Sequence, residues 1–264
     1  MKYKMTVISA VVAGSLLGLV ASSEAQFSYS AGDLFVGFRQ AGSPDLIVDI
    51  GQASLYQAYQ PNMPFTVSGG VSSALSATYG SNLNNLYWSV FSYQSSDNTL
   101  FTTSARSDIT MQTDPTASAG SSSQGIVRAY MHSILNGATS PSATSLTTTA
   151  ATIPSSLNQS GELSYTVGVQ VPSSTTEPGN FRGSWSPVEN FTGASFTGSS
   201  VSDLYQNAPG NPLTTVGSYL GNFSLDNTGD LVFNPVPEPG IWAVFGVGII
   251  TLFAVRRIGH KNLA

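Results

Sequence analysis

The sequence predicts a mainly β protein: an antiparallel, sandwich-like domain with one short amphipathic helix, between a signal peptide and a C-terminal transmembrane helix. Hydrophobic residues fill 41% of the 264 positions, which is enough for a core. They occur in short runs of alternating polarity, separated by clusters of Gly, Ser, Thr, Asn and Pro, as in strands joined by turns. Two longer apolar segments lie near the ends. Three parts are therefore expected: the signal peptide at 1–25, an exported domain at 26–234, and a C-terminal segment with the transmembrane helix at 235–264.

The composition excludes several functional classes. Only 9% of the residues are charged and none is cysteine, which excludes a disulfide framework, thiolate metal sites and a cysteine nucleophile. The span 26–235 holds four arginines, no lysine and twelve acids, a net charge of −8. Nucleic-acid binding needs a basic surface, so it is not expected. No cofactor or metal is predicted either.

The first 25 residues have the organisation of a secretory signal peptide. Lys2 and Lys4 form a basic start, an apolar stretch follows at 6–20, and a small-x-small site ends at Ala25. Cleavage after Ala25 leaves a mature chain that begins at Gln26. The sequence therefore predicts export.

Strand-like runs within the exported domain form hairpin candidates with turn residues between them. The predicted pairs are 33–39 with 45–50, 86–93 with 99–105, and 220–225 with 230–233. The clearest alternation of apolar and polar residues is at 163–171, which predicts a further strand with one buried face.

One stretch has helical rather than strand periodicity. Apolar residues recur at helical spacing between Ile126 and Leu135, which predicts an amphipathic helix at 123–136 that stops at Gly137. Arg128 and His132 lie on its polar face. Three stretches rich in Ser, Thr, Ala and Pro are expected to be loops or linkers: 114–123, 138–160 and 172–180.

Catalytic and binding residues are sparse in this domain. A serine-histidine-acid triad in this domain would have to use His132. This histidine lies on the polar face of the predicted helix, where exposure to solvent is a sufficient explanation for it. Asp and Asn favour turns by bonding their own backbone, and turn positions account for Asp33, Asp45, Asp97, Asp114, Asp226 and Asp230. A glycoside-hydrolase carboxylate pair stays open, because it requires only that two acids be close in space.

Two binding sites of other kinds are also open. The segment 226–230 has oxygen-bearing side chains at alternate positions, as in a calcium loop, but it lacks the bidentate acid and a hairpin turn explains it equally well. Trp88 and Trp185 are candidates for stacking on sugar rings. Trp88 lies inside an apolar strand, which favours core packing, whereas Trp185 lies in a loop-like stretch.

The C-terminal part combines a proline-rich motif, an apolar segment and a basic tail. The motif consists of Val236, Pro237, Glu238 and Pro239. The uncharged segment 241–255 would form a helix of about 22 Å, shorter than the roughly 30 Å hydrocarbon core of a bilayer. Arg256 and Arg257 follow, and positive residues favour the cytoplasmic side, so the segment is predicted to span the membrane with the large domain outside.

This C-terminal arrangement resembles the PEP-CTERM sorting signal. Proteins with that signal occur in Gram-negative bacteria that make extracellular polysaccharide, and a membrane protease-transpeptidase called exosortase handles them. The resemblance implies that Pro237, Glu238 and Pro239 form the recognition motif, and that Arg256 and Arg257 form the basic stop. It covers about the last thirty residues.

The expected function is that of a non-enzymatic structural protein of the cell surface or extracellular matrix, processed at its C-terminal signal. The resemblance implies an exosortase-type protease and exopolysaccharide as partners. The stretches 32–39 and 45–51 also resemble the start of uncharacterised PEP-CTERM proteins, and that likeness implies no activity. A lectin-like surface module is the alternative function, followed by an exported glycoside hydrolase.

Overall fold

The computed structural model describes eight ranges of the chain: 26–57, 63–94, 99–106, 121–169, 177–179, 181, 188–207 and 217–236. Within them the chain forms thirteen β-strands and four helices. The strands are β1 (Asp33–Arg39), β2 (Asp45–Gln52), β3 (Phe65–Thr66), β4 (Tyr87–Gln94), β5 (Thr99–Ala105), β6 (Thr144–Thr147), β7 (Ala150–Ile153), β8 (Asn158–Gln159), β9 (Glu162–Leu163), β10 (Asn190–Phe191), β11 (Ser199–Asn207), β12 (Ser218–Asp226) and β13 (Leu231–Pro235). The helices are α1 (Ser54–Gln57), α2 (Val71–Tyr79), α3 (Ser121–Thr139) and α4 (Tyr165–Val169).

One antiparallel sheet organises the fold. It contains eleven strands in the order β3-β13-β12-β11-β5-β4-β1-β2-β7-β6, with β10 paired to β4, while β8 and β9 form a separate pair. All three predicted hairpins are present, as β1 with β2, β4 with β5, and β12 with β13. The mainly β, antiparallel prediction is confirmed, and most strands belong to a single sheet.

The sheet is curled. Tyr56 of α1 directly follows β2, yet its ring centroid lies 5.4 Å from that of Phe223 in β12 and 5.1 Å from that of Phe233 in β13. Strands β2 and β12 are five positions apart in the sheet. In a flat sheet, five steps of about 4.8 Å would separate them by about 24 Å. Curling therefore brings distant strands to the same inner core.

Both faces of the central strands are buried. In β1, Leu34, Val36 and Phe38 point into the inner core, which α2 also lines, whereas Phe35 points into a second core on the other face. Helices α3 and α4 cover that second core. Every residue of β1 is buried for this reason, as expected for a strand with helices or sheet on both sides.

The predicted strand at 163–171 is wrong from Ser164 to Val169, and 170–171 lie outside the described residues. Strand β9 ends at Leu163, and α4 follows at Tyr165–Val169. The side chain of Ser164 accepts a hydrogen bond from the Val167 amide (3.1 Å), and Asp45 accepts one from the Thr166 amide (2.5 Å), so two side chains bond amides of the first turn. Tertiary contacts override the alternating pattern here.

Helix α3 confirms the helical prediction, but its boundaries and its buried face differ. It runs past the predicted stop at Gly137 to Thr139. A Cβ on Gly137 would lie 2.2 Å from the Leu163 carbonyl oxygen, so this glycine permits a close approach of α3 to β9 rather than ending the helix. Ile126 is 42% exposed, whereas Val127 and Met131 are fully buried.

The predicted loop at 138–160 is also wrong in part. It contains β6 and β7, which extend the large sheet beyond β2, and β8 of the small pair. Strand β6 can contain Ser and Thr residues because most of its side chains are exposed and their hydroxyl groups contact solvent. In the part of the chain that the structure describes, no helix is both long and apolar enough to cross a membrane, and the predicted span 241–255 lies outside that part.

Candidate functional site

The predicted N-terminal processing point adjoins the start of the described fold. Gln26 is exposed, and Phe27 beside it is only 2% exposed and packs into the second core. The Ser28 amide donates to the Thr148 carbonyl (3.0 Å), which fixes the chain directly after Gln26. Ala25 lies outside the described residues.

The predicted C-terminal motif begins where the last strand ends. Strand β13 ends at Pro235, and the Val236 amide donates to the Leu220 carbonyl (3.2 Å). Val236 is 36% exposed. The other predicted sorting residues lie outside the described residues: Pro237, Glu238, Pro239, Arg256 and Arg257.

His132 lies where the sequence predicted it, on the exposed side of α3. Its Nδ1 lies 3.1 Å from the side-chain nitrogen of Asn136, one turn further along the helix. A triad requires an acid to orient this nitrogen, and an amide occupies that position instead. Among the described residues, the contact at this nitrogen is therefore not the acid contact of a serine-histidine-acid triad.

Asp45, one of the predicted turn acids, is buried at the start of a strand. Asp45, at the start of β2, is fully buried and accepts hydrogen bonds from the Thr166 amide (2.5 Å) and hydroxyl (2.7 Å). Burial raises the pKa of Asp45 to about 7, despite these bonds and nearby Arg39. Its role in the fold is to hold α4 against the β1–β2 hairpin.

Asp33 and Asp49 lie together at the open end of the same hairpin. Asp33 accepts from the Ser30 amide (2.5 Å) and from the Gln52 side chain, and Asp49 accepts from the Gly51 amide (2.8 Å). Burial raises the pKa of Asp49 to about 6, and the neighbouring Asp33 contributes in the same direction. Each of these carboxyls accepts a hydrogen bond from a backbone amide two or three residues away, so both have local structural partners. The hydrolase hypothesis stays a prediction.

The calcium-loop candidate forms a hairpin turn between β12 and β13. One oxygen of Asp226 accepts hydrogen bonds from the Thr228 amide (2.8 Å), the Thr228 hydroxyl (2.7 Å) and the Asp230 amide (2.9 Å). Slight burial favours the protonated form, but these bonds outweigh it and lower the pKa of Asp226. Among the described residues, no group of three or more His, Cys, Asp or Glu side chains is placed to hold a metal ion.

Trp88 belongs to the core. Its side chain is fully buried, and its indole nitrogen donates to the Ser200 hydroxyl (2.9 Å). It is therefore not accessible for stacking on a sugar. Trp185, the other candidate, lies outside the described residues.

Arg39 and Glu189 form a buried ion pair that the sequence did not reveal. The Arg39 guanidinium meets the Glu189 carboxylate with Nε–Oε1 and Nη2–Oε2 distances of 2.8 and 2.6 Å, and its carbon lies 4.1 Å from the centre of the Tyr87 ring. Glu189 also accepts from the Gly179 amide (2.5 Å), and Arg39 donates to the Glu177 carbonyl (2.7 Å). The side chains of Arg39 and Glu189 are 5% and 0% exposed. Because Arg39 belongs to β1 and the pair also bonds the backbone at Glu177 and Gly179, it fixes 177–179 and 188–189 to the sheet.

The other face of the sheet's β11–β13 region carries a row of polar side chains. Strand pairing places Ser104 of β5 beside Asp203 of β11, Asp203 beside Asn222 of β12, and Asn222 beside Asn234 of β13. Leu204, Phe223 and Phe233 alternate with them and point to the inner core. Apart from Asp203, which is 4% exposed, the members of this row are part-exposed.

Hydrogen bonds join this row to Arg106 and Tyr219. Arg106 pairs with Asp203 (Nε–Oδ1, 2.9 Å) and donates to the Tyr219 hydroxyl (2.7 Å). The Asn222 side chain also reaches that hydroxyl (3.5 Å), and Asn234 donates to Asn222 (3.0 Å). We call these side chains, together with Ser104, the polar face. Sequence analysis missed it, although the alternation of β12 gave a partial signal.

The fold and the polar face define a mainly β protein with an extensive curled sheet and a hydrogen-bonding surface. The chain matches no protein-family model, no curated protein and no solved structure.

Proposed function

We propose that this chain is an exported structural protein of the cell surface or extracellular matrix, released or anchored through processing at its C-terminal Pro-Glu-Pro signal. In this proposal residues 1–25 are the signal peptide, 241–255 span the membrane and an exosortase-type protease acts near Pro237–Pro239. The large, sandwich-like domain lies outside and associates with exopolysaccharide. The resemblance of the C-terminal segment to PEP-CTERM signals supports the sorting step.

The observation that carries the proposal is the position of both predicted processing points relative to the described fold. Phe27 is buried one residue after the predicted signal cleavage, and β13 ends at Pro235, directly before the motif. Removal of 1–25 and of the segment after the motif would therefore leave every described strand and helix whole. Processing at points inside a strand would instead break sheet hydrogen bonds.

A structural role agrees with the chemistry of the domain. Its buried acids hold backbone or arginine partners, and its histidine lies on an exposed helix face. Asp33 and Asp49 lie together, and each accepts a hydrogen bond from a nearby backbone amide, as residues that stabilise the hairpin do.

A carbohydrate-binding surface module is the second candidate. One observation favours it: the polar face has part-exposed amide and hydroxyl groups on neighbouring strands, and such groups can form hydrogen bonds with sugar hydroxyls. The two candidates are compatible, since a matrix protein needs a way to hold the matrix.

The test is the intact mass of the protein from membrane and extracellular fractions of the producing bacterium. The wild type is expected to begin at Gln26 and to end near the Pro-Glu-Pro motif. Glu238→Gln alters the motif and is expected to retain 241–264. The matched control, Glu177→Gln, changes an exposed acid elsewhere and is expected to be processed as the wild type.

Two results would contradict the proposal. The first is a wild-type species that keeps its C-terminal segment in every fraction, which would mean no processing. The second is an unprocessed folded protein recovered wholly in the cytoplasm, which would exclude export.

A further inference from the structure

We propose that the polar face binds a neutral polysaccharide chain, laid across strands β11, β12 and β13. The inference deepens the proposed function, because it names the surface and the chemical class of the matrix partner. It does not depend on C-terminal processing, since the polar face lies entirely within the folded domain.

The spacing of the polar face suits a repeating ligand. Asp203, Asn222 and Asn234 occupy equivalent positions on three neighbouring strands. Adjacent strands lie about 4.8 Å apart, which is close to the length of one sugar ring in an extended chain. With Ser104 the row extends over three such steps, about 14 Å. Its part-exposed members, Ser104, Asn222 and Asn234, are the ones that can reach a ligand, whereas Asp203 is buried and holds Arg106 in place.

The charge of the polar face favours a neutral ligand. Arg106 and Asp203 neutralise one another, and the side chain of Arg106 is 28% exposed while that of Asp203 is 6% exposed. The remaining members are amides and hydroxyls. An anionic chain finds no uncompensated cation here, and the net charge of −8 over 26–235 opposes its approach.

The polar groups offer both donors and acceptors, as sugar hydroxyls require. Each asparagine amide has two N–H donors and an acceptor oxygen. The bond from Asn234 to Asn222 uses one donor of Asn234 and one lone pair of Asn222. Each side chain therefore keeps hydrogen-bonding capacity on its part-exposed side. The bonds between members also hold the side chains in place, which lowers the conformational entropy lost when a ligand binds.

Aromatic surface lies beside the row, on β12. The Tyr219 hydroxyl accepts from Arg106 and Asn222, and its ring centroid lies 5.7 Å from that of Tyr205. Tyr219 is only part-buried, so its ring adds apolar contact beside the hydrogen-bonding groups, the combination that amphipathic sugar rings need.

Affinity gel electrophoresis of the full chain in mild detergent tests the inference. The probes are hydroxyethyl cellulose, dextran and the neutral polysaccharide of the producing culture, with alginate as the anionic comparison. At least one neutral probe is expected to retard the wild type. Asn222→Ala with Asn234→Ala is expected to weaken that retardation about tenfold or more, because two or more net hydrogen bonds are lost.

A matched double variant, Asn158→Ala with Asn227→Ala, removes two exposed asparagines outside the polar face and is expected to be retarded as the wild type. If the first double variant melts at lower temperature, Asn234→Ala alone replaces it. No retardation by any neutral probe, equal retardation by alginate, or unchanged binding after loss of Asn222 and Asn234 would overturn the inference. The mass measurement of processing is unaffected by any of these results.

Discussion

Gly137→Ala should destabilise the protein, although alanine normally favours a helix over glycine. A Cβ at position 137 would lie 2.2 Å from the Leu163 carbonyl oxygen, against about 3.4 Å for an ordinary contact. Helix α3 and β9 must therefore separate by about 1 Å, and the obstructing atom is backbone, which cannot rotate away. Overpacking of this kind costs about 3 kcal/mol, and the helix propensity of alanine returns about 1 kcal/mol.

The expected net loss is about 2 kcal/mol, which lowers the melting temperature by roughly 4–8 °C for a domain of this size. The same helix supplies the control. A Cβ on Gly125 would meet only the Arg128 side chain, at 4.0 Å, so Gly125→Ala should raise stability by about 0.5 kcal/mol. Thermal unfolding followed by circular dichroism compares the two variants. Equal melting temperatures for them would refute the close-packing argument.

Three further variants test the charged side chains. Glu189→Gln leaves Arg39 buried without its counter-charge and should lower the free energy of unfolding by about 3–5 kcal/mol in urea titrations. Asp203→Asn changes the more exposed pair with Arg106 and should lower the free energy of unfolding by about 1 kcal/mol. Similar losses in the two variants would contradict the argument from burial. Asp45 has a pKa of about 7 in the folded protein, above its usual 3.8, so the folded state holds a proton that the unfolded chain releases. The free energy of unfolding should therefore fall from pH 4 to pH 7 and level off above pH 7. Asp45→Asn should flatten this pH dependence in urea titrations. If the variant shows the same slope as the wild type across that range, Asp45 is not the cause of the pH dependence.

The hairpins were predictable because each depends on residues close together in the sequence. In β1 and β2, alternating apolar residues flank a short turn, and the structure pairs Val36 with Val48 as that pattern suggests. The turn at Asp226 is equally local, since its side chain accepts hydrogen bonds from Thr228 and Asp230, two and four residues further along the chain. Such elements need no information from distant parts of the chain.

The failures at 163–171 and Gly137 have a common cause. Asp45 bonds Thr166 from a position more than a hundred residues earlier, and a Cβ on Gly37 of β1 would lie 2.4 Å from the Tyr165 ring, which shows how closely that ring packs on the strand. Gly137 reads as a helix stop until Leu163 is known to lie against it. The pattern of neighbouring residues carries no information about contacts between residues that are distant in sequence.

The candidate site was less predictable than the fold. Trp88 was considered as a sugar-stacking residue, and its fully buried position excludes that role. The polar face combines Arg106, which directly follows β5, with Asp203 of β11 and Asn234 of β13, and no motif connects them along the chain. Only the strand order and register bring these residues into one row.

By itself, the sequence determined the β-rich class, the local hairpins, the amphipathic helix and the expectation of export and C-terminal sorting, because all of these depend on composition and short-range pattern. The tertiary structure decided the curl of the sheet, the burial of Arg39 with Glu189 and the assembly of the polar face. These depend on which distant strands become neighbours, and pairing between strands is set by the free energy of the whole core rather than by any one segment.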